Sequence, residues 1–116
     1  MKEYKLVINC RKYFLIRNYL VELNQAGYFN NDKLMKSFYK SFVIEASIKL
    51  SRQQNKFDED VKVTFKLEEN HNILSTVGLF CREHSMDQRR NNPALANALL
   101  DLKNYTVLEL NDCLRL

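Results

Sequence analysis

The chain has 116 residues, 46% hydrophobic and 28% charged. That composition fits one globular domain able to bury about 65% of its unfolded surface without disulfide or metal staples. A net charge of +4 leaves only a mild attraction for polyanions. Apolar runs such as Tyr13-Phe14-Leu15-Ile16 are too short to cross a bilayer, so no membrane partner and a cytosolic location are expected.

The first element is a strand over Glu3–Asn9, with Tyr4, Leu6 and Ile8 on one side and Lys5 and Val7 on the other. The period then changes. Tyr13, Ile16, Leu20 and Leu23 recur at helical spacing over Cys10–Ala26, with Asn9 as N-cap and Gly27 at the C-terminal stop. After a connection at Tyr28–Asn31, Asn31 or Asp32 caps a second helix running to about Gln53. Leu34, Phe38 and Phe42 line its stripe, with Met35, Ala46 and Ile48 at the flanks. Gln54–Asp60 is polar and closes the helical hairpin.

Val61–Leu67 alternates apolar and polar without exception, which places Lys62, Thr64 and Lys66 on the wet face of a half-solvated, antiparallel sheet. Glu68–Asn72 then reads as a β-hairpin leading to a central strand over Ile73–Arg82, where Gly78 marks a bulge or a close backbone approach. Ser85 and Gln88 have capping-box spacing, but Asn91-Asn92-Pro93 limits that start to a loop or single turn. Asn92 caps a third helix with Pro93 at its first position and Leu95, Leu99 and Leu102 as its stripe, ending at Asn104. Tyr105–Leu110 reads as a last strand, followed by a helical or frayed tail. The expected fold is a single α+β domain over 1–116, order β-α-α-β-β-α-β, with a four-stranded, mainly antiparallel sheet and helices on one face.

Few patterns point to chemistry. Cys10, Cys81 and Cys113 are odd in number and widely spaced, which argues for reduced thiols. Cys81-Arg82-Glu83-His84 supplies one C-x-x-H where structural zinc needs paired spacings, so the expectation is a buried Cys81, a solvated His84 and no metal site. Gly27 and Gly78 are the only glycines, which removes any glycine-rich phosphate loop, and no other cofactor motif is present. Asp58-Glu59-Asp60-Val61-Lys62 loosely echoes the acid and lysine sets of metal-dependent nucleases, but it lacks converging carboxylates. No catalytic residue is assigned.

Binding is the better-supported class. The first helix has an apolar arc wider than one sheet contact requires, so a second contact is expected, with the second helix by preference or else with another protein chain, for which Leu15 and Tyr19, with Tyr28 and Phe29 in the following turn, are the candidates. The alternative is nucleic acid, gripped by Lys33, Lys36 and Lys40 on one face of the second helix and by Arg82, Arg89 and Arg90 near an amide-rich loop. The wet strand face lacks the aromatic platform of a single-strand reader. Abundant Asn and Lys with few Gly and Pro are what AT-rich coding produces, which hints at a phage or bacterial source. The expectation is a small non-catalytic binding protein, an accessory or inhibitory regulator.

Overall fold

The computed structural model describes residues 1–46, 50, 58–68 and 71–114. The chain begins with strand β1 (Lys2–Asn9) and helix α1 (Cys10–Gln25). Helix α2 (Lys33–Tyr39) follows and continues without a break into a π-helical segment (Lys40–Glu45). Strand β2 (Asp60–Leu67) and helices α3 (His71–Gln88) and α4 (Pro93–Leu114) complete the order.

β1 and β2 pair antiparallel along their whole length, from Lys2 opposite Leu67 to Asn9 opposite Asp60. This register places Tyr4, Leu6 and Ile8 opposite Phe65, Val63 and Val61, so both strands turn their apolar sets to the same side. Glu3, Lys5 and Val7 face solvent with Lys62 and Lys66. Strand alternation at both sites is therefore as expected from the sequence.

The layer over the inner face is aromatic. Phe42, in the π-helical segment, lies edge-on to Phe65 at 5.3 Å, stacks with Phe38 at 4.9 Å and meets Tyr13 of α1 at 5.3 Å. The buried Tyr13 hydroxyl donates to the Phe42 carbonyl at 2.8 Å, and the Lys66 amide donates to Ser41 Oγ at 2.9 Å. Ser41, Phe42 and Val43 are three consecutive buried residues. The π-helical segment thus meets both α1 and the ribbon.

α1 starts where Asn9 accepts from the Arg11 amide, and α2 starts where Asp32 accepts from the Met35 amide. Both caps satisfy helix N–H groups that have no partner within the helix. The expected second helix changes pitch after Tyr39. Its expected end, with Ile48, and most of the Gln54–Asp60 connection lie outside the described residues.

Two expected strands are helices, and among the described residues the sheet has two strands instead of four. Over 73–82 the alternation is incomplete, because Leu74 and Phe80 interrupt the polar side. The buried set Ile73, Leu74, Val77, Phe80, Cys81, His84 and Ser85 repeats at three and four residues, the helical period. No turn from a β-hairpin is formed at 68, 71 and 72, and 69–70 lie outside the described residues. Ser85 is inside α3, not at a cap, and its hydroxyl donates to the Ala96 carbonyl at 2.9 Å.

Asn92 accepts from the Leu95 amide at 3.1 Å with Pro93 at the first helical position, as expected. The helix then passes through Asn104. Tyr105, Thr106 and Val107 favour strands, but their helix penalty is only tenths of a kcal/mol each, and packing decides. Thr106 lies against α3 and the Tyr105 ring is 6.3 Å from Phe65.

Gly78 is a point of close approach, to a side chain of α4 and not to backbone. A Cβ at Gly78 would stand 2.8 Å from Thr106 Oγ1, which is held by its bond to the Lys103 carbonyl at 2.6 Å. Gly78→Ala is expected to lower unfolding free energy by about 1 kcal/mol, as overpacking of roughly 1–3 kcal/mol outweighs roughly 1 kcal/mol of gained helix propensity. In a urea-denaturation cycle, Thr106→Ala should recover part of that loss. Strict additivity of the two substitutions would rule out the contact as its cause.

Candidate functional site

The most organised polar group inside the molecule centres on His84 of α3. It is buried, contrary to the solvated position expected from sequence. The Tyr19 hydroxyl, from α1, bonds Nδ1, and the Tyr28 hydroxyl bonds Nε2 at 3.0 Å. The Phe80 ring covers the imidazole at 4.1 Å and an interplanar angle of 31°.

Local backbone chemistry brings these groups together. Gly27 has φ of 78° immediately after α1, a conformation that glycine adopts without a Cβ penalty. The Gly27 and Tyr28 amides donate to the Asn24 and Leu23 carbonyls, which reverses the chain and turns Tyr28 back towards α3. Phe29 follows into the core, 5.8 Å from Phe80 and 6.2 Å from Tyr39.

A neutral imidazole has one donor and one acceptor nitrogen. One ring nitrogen therefore accepts from a tyrosine hydroxyl and the other donates to one, and both are satisfied in the neutral form. Tyr28, on the outer side, is 55% exposed. Burial lowers the His84 pKa, opposed by the nearby charges of Asp87 and Glu83. Burial likewise raises that of Tyr19. With both nitrogens engaged and the neutral form favoured, the group acts as a clasp joining α1, the α1–α2 turn and α3.

The remaining chemical candidates stay apart. Burial pushes the Cys81 thiol far up, which makes it an inert core group. Asp58, Asp60 and Lys62 are exposed at one end of the ribbon, with Asp58 bonded to Arg11 at 3.4 Å, and Glu68 lies beyond the other end. Among the described residues no three His, Cys, Asp or Glu side chains are grouped to hold a metal ion.

The sequence-derived protein-binding set is largely consumed by internal packing. Leu15 is partly buried against the core, Tyr19 is in the clasp and Phe29 is buried; Tyr28 alone is exposed. The wide arc of α1 meets α4 as well as β1 and the π-helical segment. Of the basic candidates, Lys33, Lys36, Lys40, Arg82, Arg89 and Arg90 are all exposed. Phe80 and His84 face the α1–α2 turn, and Arg82, two residues or about 200° further round α3, faces away from it.

That outward side of α3 and α4 carries what the sequence did not reveal. Leu79 and Met86 are 55% and 58% exposed, and Leu100 and Val107 are 38% and 40% exposed. Leu79 and Met86 each follow a residue that touches α4, namely Gly78 and Ser85. Leu100 and Val107 each follow a residue on one buried line of α4, namely Leu99 and, seven residues on, Thr106, which meets Gly78 of α3. In two antiparallel right-handed helices, one residue onward from the contact line turns both to the same side. The four side chains therefore form one apolar stripe across the hairpin, on the side away from the core.

Compared with known proteins, the chain matches no protein-family model, no curated protein and no solved structure.

The clasp makes stability depend on pH. Because the His84 pKa is lowered below its ordinary value near 6.5, the unfolded chain binds the proton more readily. The stability is fully present above that pH and is lost as pH falls below it towards the folded-state pKa. Urea midpoints should drop between pH 7.5 and 5, and His84→Gln should flatten that drop; an unchanged slope would reject the assignment. At pH 7.5, Tyr19→Phe should cost about 1–2 kcal/mol through the unsatisfied nitrogen, and Tyr28→Phe less, since water reaches the exposed side.

Proposed function

We propose that the chain is a small non-catalytic binding protein that holds another protein chain on the outer side of the α3–α4 hairpin. Its role on this reading is that of an accessory or inhibitory regulator, in a phage or bacterium. The observation that supports it is the stripe of Leu79, Met86, Leu100 and Val107, four large apolar side chains aligned on one exposed face. Scattered exposed apolar residues are ordinary, whereas an aligned set on two packed helices is the form that protein contact surfaces take. The sequence-derived contact region on α1 gives way to this one because its residues are engaged internally.

The test is affinity capture with the purified chain and with Leu79→Glu and Met86→Glu variants. Both substitutions replace exposed groups and should change stability by no more than about 0.5 kcal/mol, checked by urea denaturation. A protein retained in stoichiometric amount by the native chain and lost with either variant is the expected result. Equal retention by all three, or no retained protein, would remove the reading.

Nucleic-acid binding is the second reading, favoured by the exposure of all six of its basic candidates on a chain of net charge +4. Its signature is salt. Affinity for duplex DNA should fall with a slope of about 0.9 per neutralised phosphate, and Arg89→Ala with Arg90→Ala should reduce both affinity and slope. Absence of salt-dependent binding to DNA or RNA would leave the protein-contact reading alone.

A further inference from the structure

Tyr28 alone of the six tyrosines is exposed, and its hydroxyl is bonded at 3.0 Å to Nε2 of a buried histidine. The other ring nitrogen, Nδ1, is bonded to the Tyr19 hydroxyl. A phenol open to solvent, an imidazole behind it and a third group holding the imidazole from its far side therefore stand in line. Activated nucleophiles are built in this order, with the base within hydrogen-bond reach of the nucleophile and itself oriented by another group. The line is held in place on all sides. Phe80 covers the imidazole at 4.1 Å, Phe29 and Phe80 stand edge-on to the Tyr28 ring at 5.5 and 6.3 Å, and the positive φ of Gly27 fixes where Tyr28 leaves α1.

The proton positions follow from this arrangement. With the ring proton on Nδ1, that N–H donates to the Tyr19 oxygen and the Tyr28 hydroxyl donates to Nε2, so the bond at the surface runs from phenol to base. Burial favours the neutral imidazole, the form that can take a proton, and the charges of Asp87 and Glu83 favour the imidazolium that results. A phenol also gives up its proton more readily than the serine hydroxyl on which the same arrangement acts.

Charge sets the class of electrophile. The charged groups that act on Tyr19 and His84 are Glu22 of α1 and Glu83 and Asp87 of α3. All three are carboxylates, which oppose the approach of phosphoryl and other anionic donors and leave an uncharged acyl group unaffected.

We propose that Tyr28 is a covalent modification site, a phenol nucleophile with His84 as its base and Tyr19 as positioning residue, that takes an acyl group from an uncharged activated acyl donor. The Tyr28 oxygen forms an ester bond to the acyl carbon as the bond from that carbon to the leaving group breaks. The phenol proton passes to Nε2 of His84 and from there to the leaving group, and nothing is oxidised or reduced. This chemistry is independent of contact at the α3–α4 face. N-acetylimidazole is the probe, applied to the full chain with the modified residues read by peptide mass spectrometry. Acetylation should be fastest at Tyr28, and His84→Gln should slow it roughly 100-fold, the lower end of what a positioned base contributes. In the native chain the Tyr28 rate should follow the neutral fraction of His84 and level off above its pKa, whereas free N-acetyltyrosinamide keeps accelerating as hydroxide rises. Nitrogen NMR of the two histidines should show Nε2 of His84 without a proton. The last two readouts need no variant to fold. A Tyr28 rate within about threefold of that in a folded His84→Gln chain, a rate that climbs with hydroxide as the free phenol does, or a protonated Nε2 at neutral pH would each overturn the proposal. A larger advantage over the free phenol with acetyl phosphate than with N-acetylimidazole would overturn the class of donor.

Discussion

Among the described residues the ribbon of two strands has one face to bury and no third strand to share the task, and an isolated pair of this kind is marginal in water. The register of β1 on β2 decides the outcome, because it puts Tyr4, Leu6 and Ile8 level with Phe65, Val63 and Val61. A slip by one residue would turn the charged set inward. Against that apolar floor stand Phe42, Phe38 and Tyr105, from two separate helical segments, and through Phe42 the floor is tied to Tyr13 of α1. The helical hairpin α3–α4 is then held from one side by the ribbon and from the other end by His84, whose two phenol partners belong to α1 and its following turn.

The polar and apolar groups are distributed in an unusual way. A hydrogen-bonded network of imidazole and phenols is enclosed, while large aliphatic side chains are displayed on the outer hairpin face. Polar networks inside a fold are favourable only when every member is satisfied, and here each nitrogen of His84 has a phenol partner, with Tyr28 reaching solvent on its exposed edge. The clasp supplies rigidity.

The sequence made some of this legible and concealed the rest for definite reasons. Strict alternation in Val61–Leu67 and in Tyr4, Leu6 and Ile8 has only one interpretation, and Asn9, Gly27, Asp32, Asn92 and Pro93 mark helix ends by backbone chemistry that does not depend on the rest of the fold. Ile73–Arg82 was ambiguous because a run apolar on both parities fits a central strand and a buried helix equally well. Tyr105, Thr106 and Val107 read as strand by propensity, but their places were set by Gly78 and Phe65, contacts from distant parts of the chain. Tyr19 and Tyr28 read only as apolar surface in the sequence, and their bonds to His84 were hidden because it lies 65 and 56 positions away from them. The outer stripe was invisible for a related reason. Its seven-residue spacings acquire meaning only once both segments are known to be helical.

The change of pitch after Tyr39 has a consequence for how the molecule transmits displacement. An α-helix keeps one azimuth along its length, so rotation at one end appears at the other. Here Met35 and Phe38 lie on the α-helical part, and Ser41, Phe42 and Val43 on a wider coil whose hydrogen bonds reach one residue further, as from the Ala46 amide to the Ser41 carbonyl. The junction lies between two docking surfaces, one towards α3 and one towards the ribbon. Removing a single residue within 40–45 would return the wide coil to ordinary α winding and leave the two surfaces at nearly the same azimuth, because a turn closed by i→i+5 bonds holds one residue more than an α-helical turn, so the extra residue serves the three consecutive buried side chains and not the alignment of the two ends.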